Sequence, residues 1–255
     1  MNHQLFEKVL TSKALKRNLL VHVAVPTRID GPLKGIFFND GQNVWNDDQA
    51  SFNQSWGVGE AIDFNLHQIL VVSVSCADGM VRLDEYSKFV DTNVVGQTDW
   101  ITRHVGGKAD LYLKEVVEVI LPFAQSFAST LPTWMMVGSS MGGVISLTAM
   151  IEYPQIFTKI AGLSNAFWFA KDVFLEYVNN AQFSLNQHVY LDVGTKESGI
   201  QKESETYINS NVAVAQVLLN KSLGSLTFVR VEDGLHNELA WKERIGAILH
   251  QLLKQ

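Results

Sequence analysis

Short apolar, β-branched runs recur along the chain, with stretches of helical period between them. "LLVHVAV" at residues 19–25, "GIFF" at 35–38, "ILVVSVS" at 69–75 and "TWMMV" at 133–137 predict strands, as do "KIAGLS" at 159–164, "HVYLDV" at 188–193 and "LTFVRV" at 226–231. Several are nearly continuous apolar runs, which suits strands covered on both faces. "ADLYLKEVVEVILPFAQSFAS" places apolar residues three and four apart, as at Leu113, Val116, Val117 and Ile120, and predicts a helix. "GGVISLTAMIEY", "ETYINSNVAVAQVLLNKSL" and the closing "NELAWKERIGAILHQLLK" predict three more. Strands alternating with helices imply an α/β fold with a mostly parallel sheet and helices on both faces. No repeat, low-complexity tract or Pro/Gly-rich linker interrupts the pattern, so a single domain over residues 1–255 is expected.

Bulk composition narrows the function classes. The chain of 255 residues is long enough to bury a sizeable core. A net charge of −6 with no Lys/Arg run argues against a general nucleic-acid binder, which needs a basic face to neutralise phosphates. The single cysteine, Cys76, cannot form an intramolecular disulfide, and no Cys/His cluster has metal-ligand spacing, so no metal is expected. No run reaches the roughly 18 consecutive apolar residues of a membrane span, and the amino-terminal stretch lacks an apolar signal core. The expectation is a cytoplasmic protein without membrane or nucleic-acid partners.

The stretch "MMVGSSMGGV" at 135–144 carries the first chemistry. Gly138-Ser139-Ser140-Met141-Gly142 is a G-x-S-x-G pattern that follows a predicted strand and opens a predicted helix. Chance alone would place that pattern in about one chain in ten, so the strand-to-helix context is what gives it weight. A nucleophile on such a sharp turn needs small residues two before and two after, which centres the turn on Ser140 rather than Ser139.

A serine hydroxyl needs a base, and the base needs an orienting carboxylate. Three histidines follow Ser140. His250 lies among apolar residues of the last predicted helix, and His188 starts a predicted strand. His236 sits in the polar loop "VEDGLHNELAW" after the last strand, where α/β sheets present reactive groups. For the acid, Glu197 projects from the loop after "HVYLDV", and Asp192 within that strand is its rival. Glu232, Asp233 and Glu238 read as solvated loop charges. Order and loop location favour Glu197.

Further blocks then carry a family resemblance. "FFNDGQNVWND", "RLDEYSKF", "GGKADLYLKEVVEVILPFAQSFAS", "VGSSMGGVISL", "YPQIFTKIAGLSNAFWF", "LDVGTKES" and "GLHNELAWKERI" occur in order over roughly residues 10–250. Each is similar to a successive block of the putative esterase (esterase D-like) family of α/β-hydrolases. The resemblance implies an α/β-hydrolase fold without a large lid domain and a serine carboxylic ester hydrolase. It implies Ser140 as nucleophile, His236 as base and Glu197 as acid, with no cofactor. It also implies an oxyanion hole from the backbone N–H groups of Gln42 and Met141. Ser87-Lys88 departs from the proline usual after "EY" in that family, with no catalytic consequence expected. The implied partner is a small-molecule or carrier-linked ester, and acyl transfer to an alcohol is the variant outcome of the same site. A non-catalytic binding protein on the same scaffold is the reading from another class; a complete triad in order stands against it.

Three further positions remain open on sequence grounds. Arg82 and Glu85 suit either a structural ion pair or contact with a polar substrate group. In Phe167-Trp168-Phe169, an aromatic run that usually means core, Trp168 is the candidate pocket residue.

Overall fold

The computed structural model describes residues 2–95, 99–128 and 133–255, with only the backbone described at Thr133. The chain opens with β1 (His3–Ser12), β2 (Arg17–Pro26) and β3 (Lys34–Phe38), followed by the short helices α1 (Val58–Ala61) and α2 (Phe64–His67) and by β4 (Ile69–Val74). Helix α3 (Gly79–Tyr86) precedes the two-residue strands β5 (Val90–Asp91) and β6 (Val105–Gly106) and the helices α4 (Ala109–Glu115) and α5 (Leu121–Gln125). Strand and helix then alternate: β7 (Thr133–Ser139), α6 (Met141–Glu152), β8 (Phe157–Leu163), α7 (Lys171–Asn180), β9 (His188–Gly194), α8 (Gln201–Leu219), β10 (Ser225–Val231) and α9 (Glu238–Leu253).

Contacts between α-carbons divide the chain into two compact units, Met1–Cys76 with Leu111–Val137 and Asn237–Gln255, and Ala77–Asp110 with Gly138–His236. In the first unit the strands lie in the order β1-β2-β4-β3-β7. Here β3 runs parallel to both β4 and β7, whereas β1–β2 and β2–β4 are antiparallel. All six residues of β4 are buried, as its unbroken apolar run requires. Phe38, Trp56 and Trp241 pack edge to face in the core of this unit, at 6.0 and 5.9 Å between ring centroids. In the second unit β8, β9 and β10 are parallel neighbours. Helix α6 is buried from Met141 to Met150, and Phe167 stacks on Phe174 at 5.4 Å.

Every strand expected from the apolar runs is present, with ends moved by one or two residues. Seven elements had no expectation: the short α1, α2, α3, β5 and β6, and the longer β1 and α7. β1 is mostly exposed, so its residues show no buried face for a periodic pattern to mark. Helix α7 buries only Phe174 and Val178, too narrow a stripe to stand out. The helix expected from residue 109 is continuous only in outline. A π-turn at Val116–Ile120 separates α4 from α5, beside Pro122, which has no amide to carry on the α-helical bonding. Ser129, the last residue of that expected helix, lies outside the described residues.

One buried carboxylate ties α3 to the segment that follows it. Asp84 is 1% exposed and accepts hydrogen bonds from both terminal nitrogens of Arg103 (2.9 and 2.8 Å), from Lys108 Nζ (2.8 Å) and from the Gly106 amide (3.0 Å). Burial by itself would raise its pKa, but these donors outweigh burial and hold it below the usual value. A carboxyl group with a lowered pKa in the folded state contributes stability above its unfolded pKa, lost as the pH falls through the folded one. Asp84→Asn is therefore expected to lower the melting temperature at pH 7. The gap to wild type should close as the pH falls below about 4, the carboxylate's ordinary range. Thermal melts of both proteins across pH 3–7 check this, and a gap that persists unchanged at the acid end contradicts it.

Candidate active site

The turn between β7 and α6 has the geometry the glycine spacing demands. Ser140 caps α6 with φ 56° and ψ −121°, a backbone state that costs a non-glycine residue on the order of 1–3 kcal/mol. A β-carbon on Gly138 would collide with the Gly142 backbone, 2.7 Å from its Cα, so the first glycine of the pattern is sterically obligatory. The strained turn is held at both its polar groups. The Ser140 amide donates to the Leu163 carbonyl (2.9 Å), and its carbonyl accepts from Ala166 (3.1 Å) and Gly143 (3.1 Å). Met141, the next residue, opens α6, where helix geometry leaves its amide without an intrahelical carbonyl.

Glu197 and His236 come from two loops of the same unit that are bonded along their backbones. Thr195 donates to Val231 (2.9 Å), Lys196 to Gly234 (3.0 Å) and His236 to Glu197 (2.9 Å). This approach leaves no space for a side chain at Gly194, whose β-carbon would lie against the Gly234 carbonyl. The pairing delivers His236 Nδ1 to 2.7 Å from Glu197 Oε2, while Glu197 Oε1 accepts from the Gly194 amide at 2.5 Å. The Glu197 side chain has no exposed surface and that of His236 is 22% exposed. Both carboxylate oxygens are thus met by N–H groups, the condition for keeping a charge out of water. An imidazole held this way through Nδ1 presents Nε2 as its other functional nitrogen.

Asp192 stands elsewhere. It is buried in β9, where Oδ1 accepts from the Ser164 amide (2.9 Å) and Oδ2 from the Tyr190 hydroxyl (3.2 Å). Ser164 itself has φ 49° and follows Leu163, whose carbonyl receives the Ser140 amide. Asp192 therefore supports the turn beside the serine. Asn165 completes this support, donating to the carbonyls of Gly162 (3.1 Å) and Asp192 (3.3 Å) and to Asn211 Oδ1 (3.0 Å).

Of the aromatic run, Phe167 and Phe169 are core residues at 1% and 2% exposure, whereas Trp168 is half-buried. Trp168 packs on Tyr207 of α8 at 5.8 Å between centroids, and Tyr207 packs on His236 at 4.8 Å. The Tyr207 phenol titrates above its ordinary range. Burial raises its pKa, the Glu197 charge adds to this, and the opposing pull of Trp168, Ser140 and Arg82 does not cancel it. Tyr207 is the site residue that sequence reasoning missed: it lies mid-helix in a polar stretch with no motif around it. Arg82, on α3, places its guanidinium 5.0 Å from the centre of the Tyr86 ring.

Gln42 belongs to the first unit. It follows Asp40, which has φ 55°, and Gly41, where a β-carbon would meet the backbone of Ser73 and Val74. The hydrogen bonds of this turn run from Asn43 to Asp40 (2.9 Å) and from Val44 to Gly41 (3.3 Å), which leaves the Gln42 amide outside them. Its side chain is anchored instead, with Nε2 on Cys76 Sγ (3.2 Å) and Oε1 receiving the Cys76 amide (3.1 Å). His188 and His250, set aside on sequence grounds, pair with Ser225 and His67. Among the described residues no group of three His, Cys, Asp or Glu side chains could hold a metal ion, and no helix is long and apolar enough to cross a membrane.

Comparison with known proteins bears on the family and the fold. The sequence model of the family described as "Putative esterase" matches residues 12–252. An uncharacterised protein of Bacillus subtilis, YbbA, is 26% identical over 127 residues, covering 48% of each chain. The structure superposes on an IroE-like serine hydrolase from Shewanella oneidensis with a TM-score of 0.75 at 17% identity, covering 98% of this chain and 80% of the other. It matches the enterobactin esterase of Shigella flexneri with a TM-score of 0.70 at 17% identity, covering 100% of this chain but only 59% of that one. This chain thus spans well under two thirds of both the first curated relative and that esterase. The family match over nearly the whole chain shows that it belongs to the putative esterase family, and the shared fold is that of the α/β-hydrolases.

Proposed function

We propose that this chain is a serine carboxylic ester hydrolase working through an acyl-enzyme. The observation that carries the reading is the 2.7 Å contact between His236 Nδ1 and the buried Glu197 carboxylate, in the same unit as a serine on a strained strand-to-helix turn. Ser140 Oγ attacks the ester carbonyl and passes its proton to His236 Nε2. The imidazolium that forms is stabilised by Glu197, which also fixes the tautomer. The amide of Met141 receives the developing oxyanion, and one such preorganised donor contributes roughly 3–4 kcal/mol. Collapse of the tetrahedral intermediate returns the proton from His236 to the departing alcohol. Water, deprotonated by His236, then releases the acid and restores Ser140. The cycle needs no cofactor.

A small or carrier-linked ester fits best. α7 is the only helix between β8 and β9, so no lid domain stands in that segment. Phe167 and Phe169 are spent on the core, which leaves Trp168 and Arg82 as the aromatic and cationic groups for a substrate. The likeness to an enterobactin esterase supports including aromatic and siderophore esters in any substrate panel.

Three outcomes are expected. A fluorophosphonate probe should form its adduct on Ser140, with Ser139→Ala still labelling; peptide mapping that puts the adduct on Ser139 refutes the assignment. Glu197→Gln should lower kcat by about 10⁴ on an ester that the wild type turns over. Asp192→Asn keeps an acceptor for the Ser164 amide and should retain most of the turnover, losing melting temperature instead. The opposite ranking, with both variants folded, makes Asp192 the acid. Finally, kcat/KM should be higher for acetyl and butyryl than for long-chain aryl esters, and the reverse order rules out the open, lidless site.

A further inference from the structure

The second unit carries a cleft of about 490 Å³ between β5, with the residues that follow it, and the turn into α7. That volume lies in the range of small-molecule sites. Trp168 lines the cleft and also packs on Tyr207, which packs on His236, so the cleft lies two ring contacts from the histidine. One buried carboxylate joins its two sides. Asp91 is 5% exposed, and its Oδ1 accepts from the Asn93 amide and its Oδ2 from the Ala170 amide, both at 2.7 Å. Ala170 has φ 46° and ψ 38°, a left-handed backbone that a β-carbon disfavours, and its carbonyl receives the Phe174 amide at the start of α7. Such strain persists where neighbouring bonds over-determine it, and the Asp91 bond is one of them.

We infer that this cleft is the subsite for the alcohol portion of the ester, that it takes an uncharged hydrogen-bonding group such as a carboxamide, and that Asp91 is the residue that positions its two sides. The alcohol is assigned because its departing oxygen must come within hydrogen-bond reach of His236, which returns the proton to it. From His236 the Tyr207 ring leads to Trp168 and the cleft. The lining selects the chemistry. Trp168 and the exposed Val90 and Val173 offer apolar surface, while Thr92 and Asn93 carry groups that both donate and accept. Lys171 is followed by Asp172, and Asp91 lies in the same lining, so a charged group of either sign meets a like charge there. Both Asp91 oxygens already hold backbone amides, which makes this carboxylate a part of the frame.

The inference rests on the serine-hydrolase reading, and the test separates the two. The probes are acetate esters of four linear alcohols of matched length, ending in a carboxamide, a carboxylate, a trimethylammonium or a methyl group. All four pass through the same acetyl-enzyme, so differences in kcat/KM report on the alcohol alone. The carboxamide ester should lead the other three about tenfold, the scale of one well-placed hydrogen bond. Asp91→Asn puts an amide donor where one backbone N–H now finds an acceptor. It should erase that lead through KM rather than kcat, a split that a general loss of folding would not give. Asn93→Leu, at an exposed position, should also remove the lead, and it carries the test if melting curves show Asp91→Asn unfolded. Equal kcat/KM for the four esters, or a lead for a charged one, overturns the subsite. A carboxamide lead that survives in folded Asp91→Asn overturns the positioning role, and one that survives Asn93→Leu overturns the polar contact. A wild type that hydrolyses neither these esters nor p-nitrophenyl acetate overturns the serine-hydrolase reading itself, and this inference with it.

Discussion

A carboxylate with no exposed surface is the constraint on which the candidate site turns. Desolvation of Glu197 is tolerable only because each of its oxygens meets an N–H, from Gly194 on its own loop and from His236 on another. To bring those donors in, the loops after β9 and β10 must bond along their backbones, and that requires glycine where they touch. The parallel β9–β10 pair supplies the starting points of both loops side by side. Sheet register, glycine placement and the histidine contact are therefore one arrangement seen at three scales.

The strained residues tell a similar story. Asp40, Ser140, Ser164 and Asp233 all have positive φ, and they follow β3, β7, β8 and β10 respectively. Such strain persists only where surrounding bonds over-determine it. At Ser140 those bonds are with Leu163, Ala166 and Gly143, and at Ser164 with Asp192. The carboxyl ends of parallel strands are where α/β folds present reactive groups, and here four of them are followed by a strained residue.

How much of this could be read beforehand depended on which physical signal each feature leaves in the chain. Buried parallel strands announce themselves as apolar runs, and the elbow by glycines that sterics make obligatory. The order of serine, acid and histidine narrowed the acid to two carboxylates. Loop location already favoured Glu197 over Asp192, and the partners of the two side chains differ as well, His236 for Glu197 and Ser164 and Tyr190 for Asp192. β1 left no trace, since an exposed edge strand has no hidden face. Tyr207 was equally silent, as a lone aromatic on a polar helix acquires its meaning only when α8 folds back to His236.

The alternation in Phe167-Trp168-Phe169 has a consequence for how such a site can diversify. The two phenylalanines anchor the backbone in the core on either side of the tryptophan, one of them by stacking on α7. Trp168 is therefore a wall mounted on a rigid frame. Its inner face meets Tyr207, which in turn borders His236, so a smaller side chain there would be felt first at α8 and not at the turn that carries Ser140.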